Sequence, residues 1–170
     1  MSTINEEQFL ELYDKYITKI YRYIYFRVGS KQVAQDLSSE VFLRTWNYLK
    51  QGKDIGNFSA MVYQVCRNII SDYFRNISEL PISLESISEK KIEAEGQELT
   101  HLVEKSLEID KIKQEISRIK PEYQDLIIWH YIEDFSVREI SEITEKSEGS
   151  IRTSLSRALA ALRRVMEEGG

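Results

Sequence analysis

Near the C-terminus, Ser150, Arg152, Thr153, Ser156 and Arg157 recur within the stretch "SIRTSLSRALAALRRVM". Hydroxyls and guanidinium groups at this spacing can donate hydrogen bonds to phosphates and base edges, and small side chains at the start of a helix let it enter a groove closely. Ser, Thr and Arg are also ordinary helix-surface residues, so the pattern by itself leaves a generic helical pair open. A second set of chemically useful residues lies earlier in the chain. Lys53, Asn57, Tyr63, Arg67, Asn68, Tyr73 and Arg75 combine cations, amides and rings over two dozen positions, the types that serve phosphates and unstacked bases.

Catalytic chemistry finds less support. His101 and His130 are the two histidines; neither belongs to a cluster with metal-ligand spacing, and the chain has no glycine-rich phosphate loop. Asp36 and Glu40 stand one helical turn apart, but no complementary ligand set accompanies them, which favours an interface or a solvated surface over an active site. Cys66, the single cysteine, lies on an apolar stretch. It excludes an internal disulfide and reads as a small core residue. The expectation is a protein that is not an enzyme and uses no cofactor or metal.

Helices must position these groups. Apolar residues from Phe9 to Val28 recur at three- and four-residue steps, and Gly29 ends the run. Ser30 caps a second helix from about Lys31 to Leu49. The loop QGKDIGN follows, then a third helix from about Phe58 to Phe74. Pro81 and the polar, acidic stretch after it read as a linker. Order resumes near Leu102 and continues to about Ile119. Pro121 suits the first turn of a helix over Glu122 to Tyr131, whose inward face is Tyr123, Leu126, Ile127 and Tyr131. Ser136 with Glu139 makes a capping box for a short helix burying Val137, Ile140 and Ile143. Ser147 caps the last helix, whose core sector is Ile151, Leu155, Ala158, Leu159, Leu162 and Met166. The fold class is therefore all-α: two small helical domains, residues 1–77 and 105–170, joined by an acidic linker at 78–104, with a helix-turn-helix in the second.

The net charge of −5 argues against a protein held to nucleic acid by a uniform positive field. Its distribution is uneven: residues 1–77 carry +2, residues 78–117 carry −5 and residues 118–170 carry −2. The polar start, MSTINEEQF, and the lack of an apolar run near 18 residues suggest a cytoplasmic chain without signal peptide or membrane insertion. A monomer is the simplest free state.

In "AQDLSSEVFLRTWNYL", "NFSAMVYQVCRNIISDYFR", "IKPEYQDLIIWHYIEDFSVREISEI" and "SEGSIRTSLSRALAALR", the chain resembles bacterial RNA polymerase sigma factors of the sigma-70 family, of the small two-domain group 4 or extracytoplasmic-function type. The resemblance covers about residues 9–76 and 105–166. It implies a promoter-specificity subunit that binds core RNA polymerase, recognises two promoter elements and helps melt DNA for transcription initiation. Asp36, Glu40, Phe42, Arg44 and Trp46 would then face polymerase, although Phe42 and Trp46 read equally well as core. Lys53, Asn57, Tyr63, Arg67, Asn68, Tyr73 and Arg75 would serve the downstream, minus-ten element. Ser150, Arg152, Thr153, Ser156 and Arg157 would serve the upstream element. Members of the family are often silenced by an anti-sigma protein, so the resemblance also implies such a partner.

The chain departs from the family at several positions. Met61 replaces a usual tryptophan. Thr144, Glu145 and Lys146 replace leucine, glycine and isoleucine across the helix-turn-helix turn, which predicts a looser or shifted turn. Ser154 and Leu159 stand where arginine is frequent, thinning the phosphate contacts. These departures keep a second reading open: a sigma-like adaptor, or a DNA-binding regulator, that does not itself initiate transcription.

Overall fold

The computed structural model describes residues 4–52, 56–78 and 100–169, with side chains in the helix that begins at Thr100 described from Glu108 onward. It is an all-α protein of two helical domains, α1 to α3 and α4 to α7, joined by a linker.

Helix α1 spans Glu6–Val28. Asn5 opens it with a reciprocal capping box to Gln8, at 2.8 and 3.0 Å, satisfying two backbone donors left over at any helix start. Gly29 closes it at φ 83°, a left-handed conformation that glycine enters without a Cβ clash. Ser30 then caps α2, Lys31–Lys50, its hydroxyl accepting from the Val33 amide at 3.2 Å. Helix α3 runs over Phe58–Ser78, beyond the expected end at Phe74, since no breaker intervenes before Pro81. Ile20, Ile24, Ala34, Val41, Val62, Cys66 and Ile69 fill the space between these three helices, all essentially inaccessible to solvent. Fully burying an aliphatic side chain of this size contributes roughly 1.5–3 kcal/mol relative to leaving it exposed. Burial pushes the Cys66 thiol well above its ordinary pKa, as expected for an inert core cysteine.

The second domain begins with α4, Thr100–Ile116. Pro121 occupies the first turn of α5, Pro121–Ile127, with Lys120 as N-cap. The helix does not continue regularly to Tyr131. It widens into a π-helical turn over Ile128–Ile132, closed by the Glu133 amide donating to the Ile128 carbonyl at 2.9 Å. The wider turn alters which side chains face inward: Trp129 is buried at 1% exposure, whereas Tyr131, expected inside, is 51% exposed. His130 Nδ1 lies 2.8 Å from the Phe135 carbonyl oxygen, so this histidine is engaged in closing the turn.

Helix α6, Val137–Thr144, starts on the Ser136–Glu139 capping box. Helix α7, Glu148–Gly169, starts on Ser147, whose hydroxyl accepts from the Ser150 amide at 3.1 Å. Ile151, Leu155 and Ala158 of α7 meet Leu126, Ile127, Ile140 and Ile143 in a common core. The inward stripe then drifts to Ala161, Leu162 and Val165, and Met166 lies outside it at 47% exposure.

Candidate polymerase and nucleic-acid interfaces

The outward face of α2 carries a chain of paired charges. Gln32 donates to Asp36 at 3.3 Å, and the Arg44 guanidinium binds Glu40 at 2.6 Å, one turn away. Arg44 also lies 3.9 Å from Asp72 of α3, which accepts from Arg75 at 2.9 Å. Glu40, Arg44, Asp72 and Arg75 form a strip from α2 to α3 with side chains about half exposed. Exposed pairs of this kind add little stability.

Two expected members of this surface are elsewhere. Phe42 is 4% exposed and packs edge-on against Tyr13, with ring centroids 4.8 Å apart. Trp46 is half-buried against Phe9, also at 4.8 Å. Both rings hold α2 to α1, because α1 is unusually rich in aromatics and closes over them. The apolar group presented outward is Leu43, 61% exposed. Asp36, Glu40, Leu43 and Asn47 follow steps of four, three and four residues, a spacing visible in the sequence that places Leu43 on the same outward face.

The downstream set divides. Lys53 lies outside the described residues. Asn68 and Arg75 are exposed on α3, and Tyr73 is half-buried with its ring 5.3 Å from Phe74. Asn57, Tyr63 and Arg67 instead meet the second domain. The Asn57 side chain accepts from the Ala60 amide at 3.2 Å, capping α3, and donates to Glu142 of α6 at 2.8 Å. Tyr63 is completely buried, its ring 5.1 Å from Phe135 and 6.2 Å from Trp129. Arg67 lies 3.9 Å from Asp125.

This contact belongs to a larger seam between the domains. Asp125 accepts from Arg27 at 2.6 Å and from the Tyr23 hydroxyl at 2.8 Å. Burial raises the pKa of the Asp125 carboxyl, while Arg27 and Tyr23 pull it the other way. Glu133, its side chain fully buried, receives two bonds from Arg22, each at 2.9 Å. Gln64 donates to the Ile143 carbonyl at 3.0 Å. The rings of Tyr23, Tyr63, Trp129 and Phe135 fill the space between these polar contacts. Arg22, Arg27, Asp125 and Glu133 escaped sequence reasoning; the one local hint was a carboxylate amid the apolar run that follows Gln124.

On α7, Ser150, Arg152, Thr153, Ser156 and Arg157 are all exposed on the side away from the core. Arg152 pairs with Glu148 at 3.3 Å. The turn before α7 is closed by hydrogen bonds rather than loose. Glu145 adopts φ 62°, ψ 32° and donates its amide to the Ser141 carbonyl at 2.8 Å. The Ser141 hydroxyl donates to the Lys146 carbonyl at 2.7 Å, and that of Thr144 to the Ile140 carbonyl at 2.9 Å. Hydroxyl-to-backbone bonds thus hold the turn closed around a strained glutamate.

A three-helix domain with a charged outer strip, followed by a helical domain ending in a helix-turn-helix with a hydroxyl- and arginine-bearing outer face, defines a two-module transcription protein. Residues 12–79 match the model of sigma-70 region 2, and residues 109–162 match that of sigma-70 region 4. The chain belongs to the sigma-70 family, in its two-domain extracytoplasmic-function group, whose members are not enzymes. It is 32% identical to the extracytoplasmic-function RNA polymerase sigma factor BldN of Streptomyces coelicolor over 170 residues, covering 95% of this chain but 61% of that protein. With SigW of Bacillus subtilis it shares 26% identity, covering 96% of this chain and 91% of the relative. The fold is similar to that of RpoE in complex with the anti-sigma factor NepR from Bartonella quintana, with a TM-score of 0.70 at 17% identity and coverage of 95% and 98%. It is also similar to the structure of CnrH in complex with the cytosolic domain of CnrY, with a TM-score of 0.71 at 15% identity and coverage of 98% and 92%. Among the described residues, no helix is long and apolar enough to cross a membrane, and no group of three or more His, Cys, Asp or Glu is placed to hold a metal ion.

Proposed function

We propose that this chain is a promoter-specificity subunit that binds core RNA polymerase, recognises two promoter elements and helps open the DNA between them. Asp36, Glu40, Leu43 and Arg44 on α2 dock on polymerase. Lys53, Asn57, Tyr63, Arg67, Asn68, Tyr73 and Arg75 hold the downstream element. Ser150, Arg152, Thr153, Ser156 and Arg157 contact the upstream element. The observation that carries this reading is the presence, in family order on one chain, of the region 2 and region 4 modules with the outer faces of α2 and α7 both exposed. An anti-sigma protein is the regulator this reading expects; both structurally similar proteins above were captured with a bound partner.

The reading is tested by combining the purified chain with core polymerase and measuring promoter-dependent RNA from a promoter library. Asp36→Lys should weaken polymerase binding. Arg157→Ala should spare polymerase binding and weaken upstream-element recognition. Equal effects of both substitutions on both activities would contradict the division of labour, and failure to bind core polymerase would sink the proposal. The complete burial of Tyr63 favours one competitor, an adaptor that binds polymerase without initiating; association without transcript would select it.

A further inference from the structure

A groove of about 740 Å³ runs between α1, α3 and the start of α5, within the roughly 300–1,000 Å³ common for small-molecule sites. Its inner end is cationic. Arg27 and Arg67 both line it, and the carboxylate between them is shared: Asp125 accepts from Arg27 at 2.6 Å and from the Tyr23 hydroxyl at 2.8 Å, and lies 3.9 Å from Arg67. Two guanidinium groups thus meet a single counter-charge. The Arg27 side chain is 8% exposed, and its Nε has no hydrogen-bond partner among the described residues. A buried donor in that state is uncommon and leaves a desolvation cost unmatched. Beside the cations the wall is apolar, formed by Val28, Ile70, Phe74 and Pro121. Phe74 lies over the Arg27 guanidinium, its ring centroid 5.7 Å from the central carbon, and is itself 40% exposed. An exposed ring changes rotamer readily, so Phe74 can turn aside and uncover the donor.

We propose that this groove binds a small aromatic monocarboxylate, with its carboxylate on the Arg27 and Arg67 guanidinium groups and its ring against Phe74. The charges select the class. A planar carboxylate accepts parallel N–H bonds from a guanidinium, and one negative charge balances the inner end. Over the whole lining, Arg27 and Arg67 are matched by Asp125 and by Glu122, whose side chain is 60% exposed at the rim. A ligand with further negative charge therefore finds no cation left for it and meets Glu122, which disfavours a nucleic-acid strand or a nucleoside polyphosphate. A neutral aromatic would leave the Arg27 donor unmatched. The ring adds its own attraction, since aromatic pairs gain beyond the area they bury. The site shares Arg67 and Asn68 with the downstream-element face but does not depend on that reading, and neither polymerase nor promoter enters its test.

The test titrates the full chain with naphthoate by calorimetry at low salt, with naphthalenemethanol as the uncharged analogue and naphthalenedicarboxylate as the dianion. Naphthoate should bind saturably, one per chain, and at least about tenfold more tightly than the alcohol. The dianion should bind no more tightly than the monoanion. Absence of saturable naphthoate binding overturns the proposal, as does equal affinity for the alcohol, and tighter binding of the dianion overturns the assignment of class. Ser71 is an exposed residue of the groove wall, so Ser71→Trp fills the ring's place and should weaken naphthoate binding at least about tenfold. Arg67→Gln removes one of the two cations and should weaken it similarly. Unchanged affinity in either folded variant puts the ligand elsewhere and overturns the proposal. Should circular dichroism show these variants unfolded, amide NMR shifts of the unaltered chain decide: Arg27, Ser71, Phe74 and Asp125 should move on titration while Asp36 and Thr153 hold still, and the reverse pattern overturns the proposal.

Discussion

Glu145→Gly should stabilise the protein, although it removes a side chain. Glu145 sits at φ 62°, ψ 32°, where the Cβ of an L-residue crowds the following carbonyl and costs roughly 1–2 kcal/mol. Glycine relieves that clash but loses more freedom on folding, a cost of roughly 0.5–1 kcal/mol. The backbone bonds that close the turn come from the Glu145 amide, the Ser141 hydroxyl and the Thr144 hydroxyl, and all survive the change. The net expectation is a gain of up to about 1.5 kcal/mol, or a thermal midpoint higher by up to about 6 °C for a chain of this size. Urea unfolding at fixed pH and salt measures it. Glu145→Ala is the control, because alanine removes the carboxylate but keeps the Cβ. If Ala stabilises as much as Gly, the effect is charge and the conformational argument is refuted; if Gly destabilises, the turn depends on a contact of the Glu145 side chain.

Two other outcomes follow from burial. Tyr23 and Tyr63 have pKa values pushed far up by burial, and burial with the nearby Asp110 carboxylate takes Tyr25 to about 12. Folded values above the free phenol value near 10 mean that their contribution to stability is fully present below pH 10 and is lost as pH rises through 10 toward and beyond 12. Tyrosinate absorbance and circular dichroism should therefore change together in alkali, and ionisation of these tyrosines with the fold intact would contradict the burial. Leu43→Ser, at a site 61% exposed, should change stability by no more than about 0.5 kcal/mol. It should weaken polymerase binding about tenfold in a direct binding assay if Leu43 anchors the α2 face; unchanged affinity would remove Leu43 from the interface.

Features set by neighbouring residues were legible in the sequence. Ser30, Ser136 with Glu139, Ser147, Gly29 and Pro121 mark helix ends because capping and φ preference act over one turn. The assignment of faces failed where the helix ceased to be regular: Tyr131 follows the onset of the π-helical turn, and Met166 lies near the end of α7, where the core has run out. The outward placement of Leu43 is legible in its spacing from Asp36 and Glu40. The seam was not legible, since Arg22 reaches Glu133 across 111 positions and Tyr23 reaches Asp125 across 102. No local spacing encodes such pairs; they depend on how two finished domains meet.

The π-helical turn at Ile128–Ile132 also acts as an angular setting for everything downstream of it. An α-helix turns by about 100° per residue, so deleting one residue from this turn would restore ordinary winding and re-index α6 and α7 against α5. Glu133, Glu142 and the outer face of α7 would swing together as one block, away from their present bearings. A single residue in the middle of the second domain thus sets the heading of the surface proposed to read DNA and of the carboxylates that bond Arg22 and Asn57 of the first domain. Length changes at this point are steering changes, and relatives that differ there by one residue would aim the same side chains elsewhere.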